Sequence, residues 1–159
     1  MELDKTDRKI LEVLQQQGRI SINDLAAAVG LSATPCTRRL KRLEEDGVIT
    51  GYAAILDQAT LGLDLTAIIG ITMDRHTPER FENFEQHIFD FPEVLECSIV
   101  TGQSADYLVK VAVKDMQHYE ALLLKKLSRI EGVTGLHSSF VLRKVVADQR
   151  LPIEQQNTI

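Results

Sequence analysis

The sequence predicts an α+β protein with an N-terminal winged-type helix-turn-helix domain and a C-terminal ferredoxin-like βαββαβ domain. Two observations predict this order. Residues 1–50 hold three short helical patterns with capping signals, and from residue 65 onward strand and helix patterns alternate. We expect domains at 1–50 and 65–150, a strand linker at 51–64 and a C-terminal tail at 151–159.

Capping residues and glycines delimit the three N-terminal helices. The predicted N-caps are Asp4, Ser21 and Ser32. Asp7 and Asp24 stand three residues after the first two caps, as in a capping box. The predicted ends are glycines: Gly18, Gly30 and Gly47. Pro35 falls in the first turn of the third helix, where a missing N–H is tolerated. Residues 48–56 then form a β-rich run.

The second half alternates strands and helices in the order β-α-β-β-α-β. Strands are predicted at 65–73, 94–101, 107–113 and 133–145, and helices at 78–89 and 116–130. Two apolar stripes suit the helices to cover one sheet face. They consist of Phe81, Phe84 and Ile88, and of Met116, Tyr119, Leu123, Leu127 and Ile130. This order is the split βαβ arrangement of ferredoxin-like domains.

Two of the predicted strands, 65–73 and 107–113, carry apolar side chains on both faces. Two helices cover only one face of a four-stranded sheet, so the other face needs a second layer. A two-fold dimer supplies that layer most simply, because such a face is complementary to itself. We therefore expect a homo-oligomer built from dimers.

Composition describes a folded protein with an uneven distribution of charge. Apolar residues make up 44% and charged residues 26% of the 159 residues, which is typical of globular proteins. The net charge is −5, but residues 1–51 hold eight basic and eight acidic residues and are locally neutral. Residues 32–42 hold four bases and no acid, so the only concentrated positive segment lies in the third helix.

The third helix is predicted to present hydroxyl and cationic side chains together. With Cys36, Leu40 and Leu43 buried, helical geometry places Thr34, Arg38 and Lys41 on the opposite side. Arg reads guanine, Thr contacts base edges, and Lys and Arg anchor phosphates. The predicted DNA-contacting residues are Ser32, Thr34, Pro35, Thr37, Arg38, Lys41 and Arg42. A basic helix face is often only solvated surface, but the caps, the Gly30 turn and the small Ala26 together favour DNA binding.

The residues give less support to other classes of protein. Cys36 and Cys97 lie on apolar stripes and are interpreted as core residues rather than redox or metal groups. The four histidines show no metal-ligand spacing, and no nucleophile with a paired base is recognisable, so we expect neither a cofactor nor an enzyme. No uncharged stretch reaches the roughly 20 residues needed to span a membrane, and the apolar run 65–73 falls far short of it. The N-terminus lacks a secretory signal, so we expect a cytoplasmic protein.

Several motifs taken in order make the chain resemble the leucine-responsive regulatory protein/AsnC family, the feast/famine transcription regulators. The resemblance covers residues 3 to about 153. Its motifs are Leu3-Asp4, Asp7-Arg8-Lys9-Ile10-Leu11, Leu25-Ala26, Val29-Gly30-Leu31-Ser32, Arg39-Leu40-Lys41-Arg42-Leu43-Glu44, Gly47-Val48-Ile49, Gly102 and Asp106-Tyr107. The resemblance implies a DNA-binding domain, a strand linker and an effector domain. It also implies dimers that assemble into tetramers or octamers with amino acids bound between dimers.

The resemblance further implies that the loop after the second strand of the effector domain lines the pocket. The predicted effector-binding residues are Gly102, Gln103, Ser104, Asp106, Tyr107, Thr134 and Ser138. A carboxylate at Asp106 can accept from an α-ammonium group, and Ser104 can donate to a carboxylate. The alternative is a hairpin turn in which Asp106 bonds its own backbone. Ser138 and Ser139 are equally consistent with hydrogen-bonded edge positions.

Two other classes of protein fit these features less well than a DNA-binding regulator. A catalytic ferredoxin-like domain would need a reactive constellation that the residues do not form. A sensing or oligomer-forming module without DNA would not need Arg38, Lys41 and Arg42 on one helix. The sequence therefore predicts a sequence-specific DNA-binding transcriptional regulator whose activity and assembly respond to a small effector.

Overall fold

The computed structural model describes residues 2–102, 104–147 and 150–153, and these form two compact units. One unit comprises residues up to 55 together with the described residues from 146 onward. The other comprises residues 56–145. The α+β fold class predicted above is confirmed. Within the described ranges, no helix has the length and apolar character needed to cross a membrane.

Three helices build the first unit: α1 (Lys5–Gln16), α2 (Ile22–Val29) and α3 (Ala33–Glu45). The predicted capping box at α1 is confirmed, since Asp4 accepts from the Asp7 N–H and Asp7 accepts from the Asp4 N–H. Ser21 likewise caps α2 by accepting from the Asp24 N–H. Gly30 ends α2 in the left-handed region at φ 74°, which a side chain would disfavour, and so permits the tight turn to α3.

The core of the first unit is small and apolar. Its buried residues come from all three helices: Ile10, Leu25, Ala26, Val29, Cys36 and Leu43. Ala26 gives α2 the small contact surface expected where helices approach closely. Cys36 is fully buried, and burial raises the pKa of its thiol, as expected for a core cysteine.

The predicted β-rich run after α3 forms no strand. Residues 48–57 have no ladder partner in the described chain, although their side chains favour β structure. A strand needs a neighbour to satisfy its N–H and C=O groups, and a single segment has none. Ile55 and Leu56 are accordingly exposed, at 93% and 68%.

The second unit is a four-stranded antiparallel sheet with helices on one face. Its elements are β1 (Leu65–Met73), α4 (Pro78–Phe89), β2 (Val94–Ile99), β3 (Tyr107–Val113), α5 (Met116–Lys125) and β4 (Val133–Phe140). The strand order is β2-β3-β1-β4, which is the predicted ferredoxin-like topology. The second predicted helix ends earlier than expected and continues as a 3₁₀ turn over Leu127–Arg129, and β4 ends at Phe140 rather than at 145.

The helix-covered face holds the core of this unit. The buried side chains from β1 and β3 alternate along the strands and pack against Phe84, Tyr119 and Leu122. Met116 was expected in this stripe, but it is 54% exposed because it is the first residue of α5. Leu122 takes the buried position instead.

The other face of the sheet is less apolar than predicted. β1 contributes Thr66, Ile68, Gly70 and Thr72, which pair with alternate residues of β3 and β4. Thr66 is buried because the side-chain amide of Gln58 donates to its hydroxyl at 2.8 Å. Ile68, at 38% exposure, and the half-buried Leu108 remain as apolar groups near the middle of this face.

A C-terminal segment belongs to the first unit. The Gln15 amide donates to the Leu151 carbonyl at 3.1 Å and accepts from the Leu151 N–H at 2.6 Å, as a neighbouring strand would. Leu151, Pro152 and Ile153 line a cavity of about 890 Å³ together with apolar residues of α1 and of segment 48–52. We call residues 150–153 the C-terminal strap.

Candidate functional site

The outward face of α3 presents three of the predicted DNA-contacting side chains. Thr34, Arg38 and Lys41 are exposed, whereas Cys36 and Leu43 on the other side of the helix are fully buried. Helical periodicity produces this division, since 34, 38 and 41 lie one turn apart on one side. No ion pair holds Arg38 within the described chain. Lys41 pairs only with Glu45, at 3.4 Å and largely in solvent, where such pairs contribute little.

The start of α3 differs from the prediction in one detail. Ser32 occupies the N-cap with extended backbone, but its side chain makes no capping hydrogen bond. The physical reason is Pro35, which stands at the third helical position and has no N–H to donate to the cap. The hydroxyl of Ser32 is therefore left for another partner. Thr37 donates its hydroxyl to the Ala33 carbonyl at 2.9 Å.

Arg42 was predicted to contact DNA, but in the structure its side chain binds Asp7. Its Nη2 lies 2.6 Å from Oδ2 of Asp7, and the Asp7 side chain is fully buried. Arg39 binds the other Asp7 oxygen at 2.8 Å and Asp4 at 2.5 Å. Hydrogen bonds to Asp4 and then Asp7 raise the pKa of Arg39. We name Asp4, Asp7, Arg39 and Arg42 the α1–α3 ion cluster.

A second group of predicted residues meets at the end of β1. The Asp106 carboxylate accepts from the Met73 N–H at 2.7 Å and lies 2.7 Å from Nε2 of His76. The Asp106 N–H donates to the Ile71 carbonyl, so the loop before β3 continues the sheet pairing. Asp106 thus bonds a neighbouring strand rather than its own backbone.

Ser104 and Thr134 approach the same strand end. The Thr72 hydroxyl donates to the Ser104 carbonyl at 3.2 Å, and the Thr134 hydroxyl donates to the Thr72 carbonyl at 3.1 Å. A Cβ added at Gly70 would lie 3.2 Å from the Ala105 Cβ, so the loop rests closely on the strand there. Gly102 adopts φ 81°, which allows the loop to turn.

Two predicted effector-binding residues do not join this group, and a third cannot be placed in or out of it. Tyr107 is buried on the helix-covered face, where its hydroxyl donates to Glu85 at 2.8 Å. Ser138 lies on the same face and accepts from the Tyr119 hydroxyl. Gln103 lies outside the described residues. His76 and Thr72 belong to the group but were missed, since thirty residues separate His76 from Asp106 and only the fold brings them together.

The remaining polar groups offer no sign of a metal or redox site. Among the described residues, no three His, Cys, Asp or Glu side chains are placed to hold a metal ion. Cys97 is half-buried, and burial together with the charge of Glu85 raises the pKa of its thiol to about 11. A thiol in that environment is mostly protonated at neutral pH and reacts slowly.

Comparison with known proteins assigns a family to each part of the chain. Residues 3–50 match the model of a winged helix-turn-helix DNA-binding domain, and residues 66–151 match the Lrp/AsnC ligand binding domain. The Bkd operon transcriptional regulator of Pseudomonas aeruginosa is 41% identical over 152 residues, which cover 96% of this chain and 99% of that protein. The leucine-responsive regulatory protein of Escherichia coli is 41% identical over 153 residues, covering 96% and 93%.

A solved structure matches the fold over nearly the whole length. A transcriptional regulator of Neisseria meningitidis, determined as a complex with L-Met, superimposes with a TM-score of 0.91 at 40% identity. The match covers 95% of this chain and 97% of that one.

Proposed function

The chain belongs to the Lrp/AsnC family of transcriptional regulators, and from that premise we propose that α3 reads an operator while the sheet unit binds an amino acid. The protein is a DNA-binding regulator with a ligand-binding domain, and its relatives are regulators rather than enzymes. We place its action in the cytoplasm, where its DNA partner lies. The observation that carries the DNA proposal is the exposed set Thr34, Arg38 and Lys41 on one side of α3.

In this proposal α3 enters the major groove. Arg38 donates to a guanine edge, Thr34 and Thr37 contact bases or phosphates, and Lys41 anchors the backbone. Ser32 and the first-turn N–H groups, which the Ser32 side chain leaves uncapped, approach a phosphate. Pro35 stiffens that first turn. A dimer would present two such helices to half-sites about one helical turn, or a multiple of it, apart.

The test of the DNA proposal compares Arg38→Ala and Lys41→Ala with the unaltered protein on DNA from upstream of its own gene. Loss of one bidentate base contact weakens operator binding by about 1 to 3 kcal/mol, and loss of a phosphate contact reduces the salt dependence. Both side chains are exposed, so the fold stays intact. Arg19→Ala removes the same charge from the turn after α1 and serves as the control. Unchanged operator affinity in both α3 variants across salt concentrations would refute the assignment.

The effector proposal places the amino acid beside the end of β1. Ser104, Asp106 and Thr134 meet there, Gly102 lies in the loop that carries Ser104, and Asp106 offers a carboxylate to an α-ammonium group. The L-Met complex of the Neisseria relative supports an amino acid as the ligand class. Gln103, Tyr107 and Ser138 were also expected from the sequence. The burial of Tyr107 and the engagement of the Ser138 hydroxyl by Tyr119 favour a supporting role for those two.

The effector test begins with thermal-shift screening of the twenty amino acids. Asp106→Ala is expected to abolish binding of the identified amino acid in calorimetry, because the α-ammonium group of the amino acid loses its carboxylate partner. Operator binding should persist, which shows that the variant is folded. By thermodynamic reciprocity, an effector that changes operator affinity must itself bind the DNA-bound protein with a different affinity, typically by about 1 to 3 kcal/mol. Equal binding of the amino acid by both proteins would refute the role of Asp106, and Thr134, Ser138 and Ser139 would be the next residues to test.

We further propose that the protein is a homo-oligomer whose dimers form through the exposed sheet face. Ile68 and Leu108 lie near the centre of that face, where another layer would bury them. Dimers associating into tetramers or octamers would place the end of β1 between copies. A ligand bound there stabilises whichever assembly forms its site best, which links effector binding to assembly.

A further inference from the structure

Asp7 is a charged side chain with no exposure to solvent, and it lies between the first and third helices. Its Oδ1 binds Arg39 Nη1 at 2.8 Å, and its Oδ2 binds Arg42 Nη2 at 2.6 Å. The same Oδ2 accepts from the Asp4 N–H at 3.2 Å. A buried carboxylate persists only when it is fully paired, and here both oxygens are occupied.

The α1–α3 ion cluster is electrically neutral as a whole. Two carboxylates face two guanidiniums, since Asp4 also binds Arg39. Half of the four cations in residues 32–42 are therefore already neutralised by α1. Arg38 and Lys41 are the cations of that segment left for DNA, Arg38 for a base edge and Lys41 for a phosphate, and only a cation that meets a phosphate releases a counterion.

The position of Arg42 makes its pairing consequential. Residues four apart in a helix are surface neighbours, so Arg42 lies one turn from the exposed Arg38. The Arg42 side chain is 47% exposed even when bound to Asp7. Released from Asp7, its long flexible side chain would reach the DNA backbone beside the base that Arg38 contacts.

We infer that Asp7 is a positioning residue that sets operator specificity, holding Arg39 and Arg42 away from the DNA backbone and fixing α3 against α1. This inference rests on the proposed role of α3 in reading DNA, and it removes Arg42 from the expected phosphate contacts. Phosphate contacts strengthen binding to every sequence alike, whereas base contacts discriminate. Withholding two cations therefore lowers affinity for random DNA, and a fixed α3 preserves affinity for the operator.

The test measures binding of Asp7→Asn to an operator duplex and to a random duplex of equal length over a series of salt concentrations. The amide keeps the shape of the carboxylate but removes the charge that holds Arg42, whereas Arg39 keeps its ion pair with Asp4. We expect the ratio of operator to random affinity to fall about tenfold or more, and the salt slope on random DNA to steepen by about one as the freed Arg42 meets a phosphate.

Asp46→Asn is the matched control. It makes the same change in charge at the C-cap of α3, outside the ion cluster. We expect it to shift both affinities by the same small factor and to leave their ratio unchanged. The double variant Asp7→Asn/Arg42→Gln restores local neutrality, and its salt slope on random DNA should return toward that of the unaltered protein.

A second route approaches the cluster from α3 and does not depend on Asp7→Asn folding. Arg42→Gln should change the salt slope on the operator by less than half of the change that Lys41→Gln causes, because Lys41 is the proposed phosphate contact. An equal loss of slope in the two variants would overturn the inference, because Arg42 would then be a phosphate contact. Parallel weakening of operator and random binding in Asp7→Asn, with an unchanged slope, would also overturn it and leave Asp7 a purely structural residue.

These outcomes are distinct from failure of the proposed function. If the unaltered protein bound operator and random DNA equally, the role of α3 would be refuted together with the inference. If the unaltered protein discriminates and the ratio survives in Asp7→Asn, only the role assigned to Asp7 is wrong.

Discussion

At the scale of single residues, Gly132 occupies a position that no other residue fits. Its φ is 98°, and a Cβ there would overlap Cδ of Arg80. Arg80 is held by Asp74 at 3.1 Å and by Glu131 at 2.7 Å, and the Asp74 N–H donates to the Gly132 carbonyl. Glycine thus lets the chain turn into β4 directly against a side chain fixed by two carboxylates.

We predict that Gly132→Ala destabilises the protein by about 1 to 3 kcal/mol, through backbone strain at positive φ and displacement of Arg80. Chemical denaturation measures the change in the free energy of unfolding. Gly51→Ala is the control, because an added Cβ there meets open space and its φ lies outside the left-handed region. A loss in Gly132→Ala no larger than in Gly51→Ala would show that the turn tolerates a side chain.

At the scale of elements, the start of α1 combines a cap with part of the ion cluster. The pKa of the Asp4 carboxyl is lowered chiefly by the hydrogen bond from the backbone N–H of Asp7. Arg39 lowers it further. Because this pKa is below its ordinary value of 3.8 in the folded protein, ionised Asp4 stabilises the fold above that value. The contribution is lost as the pH falls through the lower folded pKa.

Asp4→Ala is expected to reduce the free energy of unfolding by about 0.5 to 2 kcal/mol at neutral pH, the range for loss of an N-cap side chain. The difference from the unaltered protein should shrink as the pH is lowered below about 4, since protonation weakens the same interactions in the unaltered protein. Urea titrations of both proteins at several pH values measure it. A difference that stays constant down to low pH would mean that the ionised form of Asp4 is not what stabilises α1.

The elements that the sequence predicted well are those whose signals are local. Caps, glycines and apolar spacing located α2, α4, β1 and β3 at the bounds observed, because these features act within a few residues. The errors have non-local causes. The run 48–57 favours β structure but has no partner strand in the described chain, and Met116 is apolar but begins its helix outside the core.

In the candidate sites, too, the sequence predicted what depends on local spacing and missed what depends on long-range contacts. Periodicity alone placed Thr34, Arg38 and Lys41 outward on α3, yet it also placed Arg42 there without indicating that Asp7, thirty-five residues earlier, binds it. The effector residues were expected from a loop motif. Only the strand register shows that Tyr107 and Ser138 face the covered side of the sheet, since alternate residues point to opposite faces.

At the scale of the whole molecule, the exposed apolar surface predicts self-association. Ile55, Leu142, Val145 and Val146 are each more than three-quarters exposed, and Ile68 lies on the uncovered sheet face. An uncovered sheet face that carries apolar side chains commonly marks a protein interface. We expect light scattering at micromolar concentration to give a dimer or a multiple of a dimer.

Ile68→Glu should shift this equilibrium toward smaller species, because it places a charge near the middle of the proposed interface. Leu61→Glu introduces the same charge at an exposed apolar position outside the strands and is the control. A monomeric unaltered protein, or an assembly that Ile68→Glu leaves unchanged, would contradict association through this sheet face.

The C-terminal strap gives the chain a nested architecture, in which the sheet unit is inserted between two segments of the DNA-binding unit. For protein engineering, this means that the sheet unit joins the DNA-binding unit at two points in the chain, one near residue 55 and one near residue 146. Suppose that a chimera joins the helices of one regulator to the sheet unit of another at the first junction alone. The C-terminal strap next to Gln15 would then come from the other protein. Exchange at both junctions keeps the strap with the helices it evolved beside.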